Sequence, residues 1–209
     1  MGTRYNLIAG QSVERIAALS DGVFAVAMTL LVLDLKTPAA EAVQGGAALT
    51  TALLHLAPRL GIYLMSFLTL GIFWVGQQTQ LSALERSERG LTWMHLMFLF
   101  AVTLVPFSTA LMGEYTTMRA ALVVYWANIF LLGFWLYLAW RRADARELVS
   151  PDMPPERRRW VGRRITIAQS LYFAGMLLCL IDTRLSLGAI VLIQLNYVLA
   201  PRIAGLDRL

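Results

Sequence analysis

Cysteine is nearly absent from this chain. Cys179 stands alone inside an apolar run, so neither a disulfide framework nor a thiolate metal cluster can be built. The two histidines, His55 and His95, have no zinc-like spacing. No Walker loop, HExxH or GxSxG occurs, which leaves an enzyme without support. There is no TVGYG-type loop and hence no ion filter of backbone carbonyls. There is also no row of arginines at three-residue spacing within an apolar helix, which excludes a voltage sensor.

What is abundant is apolar sequence. The chain has 209 residues, of which 58% are hydrophobic, and a mean hydropathy of +0.61, more than a soluble globule of this size needs. Several runs approach the length of about 20 residues that crosses a bilayer as a helix. The runs are continuous, not alternating, so a transmembrane β-barrel is excluded. The reading is an all-α polytopic membrane protein with 1–209 as one domain. The first run reads as a membrane helix and not a cleavable signal, because it is long, lacks a small-x-small site and contains Asp21. A net charge of +5 and a pI near 9.8 raise the question of nucleic acid. The basic residues lie between apolar runs, where membrane topology explains them, and no nucleic-acid partner is expected.

Six transmembrane helices are expected, at roughly 15–35, 56–79, 91–112, 117–140, 163–181 and 184–201, the last ending before Pro201. Pro106 should kink the third. Residues 36–55, with Pro38, Gly45 and Gly46, read as a loop with room for a short helical turn. Residues 141–162 carry Pro151, Pro154 and Pro155 and are flanked or filled by Arg141, Arg142, Arg146, Arg157, Arg158, Arg159, Arg163 and Arg164. This segment reads as a solvated cytoplasmic loop, with anionic lipid headgroups as a second use of its charge. Both termini then lie in the cytoplasm. The same side holds Arg4, Arg15, Arg86, Arg89, Arg202 and Arg208, against only Lys36, Arg59, Arg119 and Arg184 outside.

Arg15–Leu35 reads RIAALSDGVFAVAMTLLVLDL, a membrane-length segment with Arg15, Ser20 and Asp21 built into its start. Ionisable groups at such positions are costly and mark functional or structural polar sites. Beyond them the segment offers only the Thr29 hydroxyl before Asp34. At 3.6 residues per turn, Leu19, Gly22, Val26, Thr29 or Leu30, and Leu33 fall along one stripe. Around a symmetry axis such a stripe becomes stacked rings that gate by constriction and dewetting, and Gly22 allows close helix approach. Plain packing or lipid contact produces the same periodicity, and Ser20 and Asp21 also fit a helix cap.

Other polar groups converge at the depth of Asp21. Trp74, Gln77 and Gln78 sit near the end of the second helix, and Trp93 and His95 near the start of the third. Buried polar atoms in lipid need partners, so these groups and Arg15 are candidates for one network. His95 beside Asp21 would titrate near neutral pH.

Three segments resemble the prokaryotic branch of the transmembrane protein 175 family of potassium channels. They are RIAALSDGVFAVAMTLLVLDLKTP (Arg15–Pro38), YLMSFLTLGIFWVGQQ (Tyr63–Gln78) and LTWMHLMFLFAVTLVPFSTAL (Leu91–Leu111), in order over roughly the first half of the chain. The second half is similar in helix count alone. The resemblance implies a six-helix subunit in a homotetramer, the first helix lining the pore, with apolar rings that confer a modest potassium preference. On this chain those positions are Val26, Thr29, Leu30 and Leu33. It further implies that Ser20 and Asp21 brace the pore helix against the second and third helices. Leu19 stands where the family has Phe, Gln77 and Gln78 where His is common, and His95 where Asn is expected. The smaller Val26 moves the tightest ring toward Leu30 or Leu33.

The reading is a potassium channel without a carbonyl filter loop, conducting passively in the bacterial inner membrane. Its expected partners are its own copies, the lipid bilayer and monovalent cations. No cofactor or bound metal is expected beyond transient K+. The rival is a proton- or ion-coupled secondary transporter working through Asp21 and His95.

Overall fold

Inside a bilayer every backbone N–H and C=O must be satisfied within the protein, which leaves this apolar chain only helices. The computed structural model describes residues 12–38 and 45–199. Arg4, Pro201, Arg202, Arg208, both termini and residues 39–44 lie outside the described residues. Among the described residues eight α-helices follow one another: α1 Val13–Leu30, α2 Gly46–His55, α3 Ala57–Leu81, α4 Arg89–Thr103, α5 Val105–Glu114, α6 Arg119–Ala145, α7 Pro155–Leu177 and α8 Thr183–Leu199. Short 3-10 turns extend α1 over Leu31–Asp34 and α7 over Leu178–Leu180. With α4 and α5 counted as one rod and the short α2 set aside, six rods remain. Among the described residues four spans, Val13–Asp34, Ala48–Leu81 (most of α2 together with α3), Arg89–Glu114 and Arg119–Ala145, are long and apolar enough to cross a membrane. Helix α7 opens on an arginine-rich turn, and α8 has only 17 residues.

The boundaries differ from the sequence expectation where local chemistry overrides apolar length. Ser12 caps α1 by accepting the Arg15 backbone N–H at 3.2 Å, so the helix begins before the apolar run. Ser20 and Asp21 therefore lie inside α1 and cap nothing. The rod α4–α5 breaks at Leu104 because Pro106, in the first turn of α5, has no N–H to continue the ladder. Helix α7 begins eight residues earlier than expected. Pro154 and Pro155 open it, since proline is tolerated where the N–H has no helical partner anyway.

The segment expected as a solvated loop, 141–162, is mostly helix, and its remainder is pinned. The Glu85 N–H donates to Leu148 C=O at 3.0 Å and the Ser150 N–H to Ala83 C=O at 2.9 Å. Arg158 donates to the Ser150 and Met153 carbonyls at 2.9 and 3.2 Å, and Arg142 pairs with Glu88 at 2.6 Å. Leu91, Ala139, Trp140, Ala143, Leu148 and Val149 form a small apolar core beneath this end.

The main core is a set of packed apolar faces. Helix α1 buries Ile16, Ser20, Phe24 and Ala27 at three- and four-residue spacing, and Leu31 follows in its 3-10 turn. Phe24 and Phe73 both meet Phe98 of α4, with ring centroids 6.0 and 6.3 Å apart. Lipid is as apolar as these side chains, so close packing and hydrogen bonds, not the hydrophobic effect, set their order. A hydroxyl cluster supplies the directional part. Thr109 donates to Ser66 at 2.8 Å, Ser66 lies 3.3 Å from the Tyr125 hydroxyl, and Tyr125 lies 3.0 Å from Thr69. Gln194 reaches Thr69 from α8 at 2.6 Å, so this cluster joins α3, α5, α6 and α8. Each such bond contributes about 0.6 kcal/mol on average.

Gln169 of α7 lies directly against Gly133 on α6. A Cβ there would overlap the Gln169 amide, which donates to the Ile129 carbonyl at 3.3 Å. Gly133→Ala is expected to cost about 1–3 kcal/mol through overpacking. Thermal unfolding in detergent should show it as a lower Tm, and adding Gln169→Ala should restore most of the loss; an unchanged Tm for Gly133→Ala would count against this packing.

Candidate functional site: the outward face and polar collar of the first helix

The bundle covers one side of α1 and leaves the other bare. Ser20 and Leu31 mark the covered side, whereas Val26, Leu30 and Leu33 are 57%, 45% and 71% exposed. Gly22 and Thr29 are exposed on the same side. A hypothetical Cβ on Gly22 meets nothing within 4 Å, so close approach there is available only to something outside the subunit. A groove of about 420 Å³ runs along this face, lined by Ala18, Leu19, Gly22, Val23, Val26, Ala27, Leu30 and Thr103. The Thr29 hydroxyl donates to its own helix, at 3.0 Å from Ala25 C=O and 2.9 Å from Val26 C=O. With its proton directed inward, the oxygen keeps lone pairs for a cation or water.

The collar resolves into two pairings that do not touch by hydrogen bond. Asp21 Oδ1 accepts from Trp74 Nε1 at 2.8 Å and from Gln78 Nε2 at 2.7 Å, which fastens α1 to α3. Separately, the Gln77 amide lies 3.3 Å from His95 Nδ1, tying α3 to α4. Ser20 is fully buried, but its hydroxyl donates to Ile16 C=O of its own helix at 2.8 Å. Its part at the α1 interface is thus packing, with no bond to the second or third helix. Arg15 is exposed and makes no ion pair or side-chain hydrogen bond among the described residues. Trp93 is 53% exposed.

The single network anticipated from sequence is therefore divided. His95 is 1% exposed and faces Gln77, with no hydrogen bond or ion pair to Asp21. Adjacent residues on a helix diverge by about 100°, so Gln77 and Gln78 cannot serve the same neighbour. The hydroxyl cluster around Tyr125 was not foreseen. Its only sequence signal is a set of small polar residues, Ser66, Thr69, Thr109 and Gln194, within otherwise apolar runs. Among the described residues no group of three His, Cys, Asp or Glu side chains is placed to hold a metal ion.

The fold and this helix have known counterparts. A crystal structure of a lysosomal potassium-selective channel TMEM175 homolog from Chamaesiphon minutus superposes with a TM-score of 0.77 at 28% identity, covering 91% of this chain and 98% of that one. A potassium channel of the same organism is 32% identical over 190 residues, 88% of this chain and 93% of the relative. The chain belongs to the TMEM175 family. The family model described as endosomal/lysosomal potassium channel TMEM175 matches residues 15–106, which hold α1, the collar and α4. A Streptomyces collinus potassium channel is 43% identical over 101 residues, 48% of either chain. The human endosomal/lysosomal proton channel TMEM175 is 27% identical over 206 residues, and the match spans 39% of its length. TMEM175 relatives are channels and not enzymes, in keeping with the missing catalytic motifs.

Asp21→Ala would leave the Trp74 indole and Gln78 amide without their acceptor. Charge-assisted bonds of this kind contribute about 1.5–3 kcal/mol when sheltered, and solvent exposure of Asp21 reduces this to about 1 kcal/mol. A lower Tm with a shifted tryptophan emission is expected, and Asp21→Asn, which keeps a carbonyl acceptor, should lose less. Emission and Tm matching the wild type in Asp21→Ala would remove the brace.

Proposed function

We infer that the protein is a channel that passes K+ through a pore made by four copies of α1. The observation that carries this is the bare apolar face of α1. Gly22, Val26, Thr29, Leu30 and Leu33 are turned away from the bundle on a helix whose opposite side is tightly packed. Four such faces around an axis form stacked rings. The Val and Leu rings would hold the constriction by excluding water, and the Thr29 ring would replace part of an ion's hydration. Branched apolar rings offer a cation few ligands, so the preference for K+ over Na+ is weak. Asp21, Trp74 and Gln78 brace the helix and stay off the ion path. The membrane is the bacterial inner membrane, with both termini in the cytoplasm according to the distribution of arginines.

A proton path is the second reading, because the human relative is named a proton channel. A coupled transporter working through Asp21 and His95 has less support, since the two side chains bond to different residues of α3 and not to each other.

Flux from proteoliposomes decides among these. Purified protein should carry K+ passively and without saturation by a co-ion, and absence of K+ conductance ends the proposal. Leu33→Ala and Leu30→Ala should raise conductance or lower the K+/Na+ ratio several-fold at whichever ring is narrowest. Unchanged permeability in both, and in Val26→Ala, would place the pore on another helix. Proton current exceeding potassium current under the same gradient would favour the second reading.

A further inference from the structure

Far from α1, the opening turns of α7 and the last turns of α6 enclose a groove of about 390 Å³. Helix α7 packs on α6 and α8, whereas α1 packs on α3, α4 and α5, so the groove and the bare face of α1 belong to different sets of helices. The groove walls carry Tyr137, Trp140, Arg141, Arg158, Arg159 and Arg163, together with Asp144. Most of this architecture is fixed. Trp140 Nε1 donates to Arg158 C=O at 3.0 Å, and Arg158 is spent on the Ser150 and Met153 carbonyls and on Asp144 at 3.8 Å. Arg141, Arg159 and Arg163, by contrast, form no ion pair among the described residues. Two of these guanidiniums are nevertheless oriented: Arg141 lies 6.0 Å from the Tyr137 ring centre and Arg163 lies 5.2 Å from that of Trp160.

Unpaired arginines alone attract any anion, but the neighbouring surface narrows the choice. Trp126, Phe130, Phe134, Tyr137 and Arg141 follow one another at three- and four-residue spacing along α6. Trp126 stacks on Phe130 at 5.5 Å and Phe130 on Phe134 at 6.2 Å, while Phe130 and Phe134 stay 45% and 39% exposed. From Arg141 back to Phe130 the helix rises about 16 Å at about 1.5 Å per residue. That is close to half of a hydrocarbon core about 30 Å thick. A charged groove at the interface thus continues into an aromatic track one leaflet deep.

We propose that the α6–α7 groove is a binding site for an anionic phospholipid, with the phosphate on Arg141 and Arg163 and an acyl chain along Phe134 and Phe130. Arg guanidiniums suit the phosphate because they donate in pairs to its oxygens. Arg159 adds charge at the rim. A soluble phosphate would use the same arginines but none of the aromatic track, so the track favours the lipid.

The test uses the whole protein in phosphatidylcholine bilayers doped with spin-labelled phosphatidylglycerol or spin-labelled phosphatidylcholine. The wild type should immobilise the anionic lipid preferentially. Arg141→Gln with Arg163→Gln should cut that preference about fivefold, and each single change about twofold. Arg86→Gln with Arg146→Gln removes the same charge nearby and should leave the preference unchanged. Equal losses in the two double variants would mean a diffuse surface field, and no loss in either would mean no site; both overturn the proposal. Saturable binding of inorganic phosphate abolished by the Arg141/Arg163 changes, without any lipid preference, would overturn it in favour of a soluble anion.

Discussion

A carboxylate at the edge of a membrane helix has to find donors, and in this protein both donors for Asp21 come from one neighbour. Trp74 and Gln78 lie four residues apart on α3 and close on the same oxygen at 2.8 and 2.7 Å. Among the described residues these are the only side-chain hydrogen bonds from α1 to another helix. The hydroxyls of Ser20 and Thr29 turn back onto their own backbone, and the rest of the covered face is Ile, Phe, Ala and Leu. The orientation of α1 therefore depends on one directional contact plus shape. That contact, together with Phe24 packed on Phe98, sets which side of the helix is bare.

The remainder of the bundle is tied differently. The Ser66, Thr69, Thr109, Tyr125 and Gln194 cluster links α3, α5, α6 and α8 inside the bundle, and Asn128 adds a bond to Ser108 at 3.1 Å. At the arginine-rich end, Arg142 with Glu88 and Arg158 with two loop carbonyls join the turns. At the other end Arg59 pairs with Glu114 at 2.8 Å. Hydrogen bonds hold the scaffold at three depths, while α1 is bonded to it at one.

The helices themselves were legible because continuous apolar runs of bilayer length leave few alternatives, and the break at Leu104 followed from Pro106. Boundaries were lost where a polar residue did helical work. The arginines opening α7 read as loop by hydropathy, yet Pro154 and Pro155 start a helix that lies against Trp140. The stripe of α1 was readable as a periodicity, but periodicity does not say which of two faces is covered; that depends on Phe24 meeting Phe98, a contact between segments distant in sequence. The collar failed for a similar reason. Gln77 and Gln78 are neighbours in sequence and point about 100° apart, so one serves His95 and the other Asp21. No pattern within a single helix distinguishes them. The Tyr125 cluster lies wholly between segments and left only scattered hydroxyls as its trace.

Electrostatic reasoning separates the charges from the ion path. Conduction requires binding strong enough for a cation to enter a narrow ring and weak enough for it to leave, which a neutral, oriented oxygen can supply. Asp21 accepts twice from α3, through Trp74 and Gln78. The Thr29 oxygen is the polar atom on the bare face between Gly22 and Leu33, and its proton is committed to the backbone. That leaves an acceptor of modest strength between two apolar levels, which suits passage better than storage. Arg141, Arg158, Arg159 and Arg163 line the groove between α6 and α7 instead. Strong charges such as Asp21 and Arg142 thus join helices and turns, and the bare face of α1 is left weakly polar.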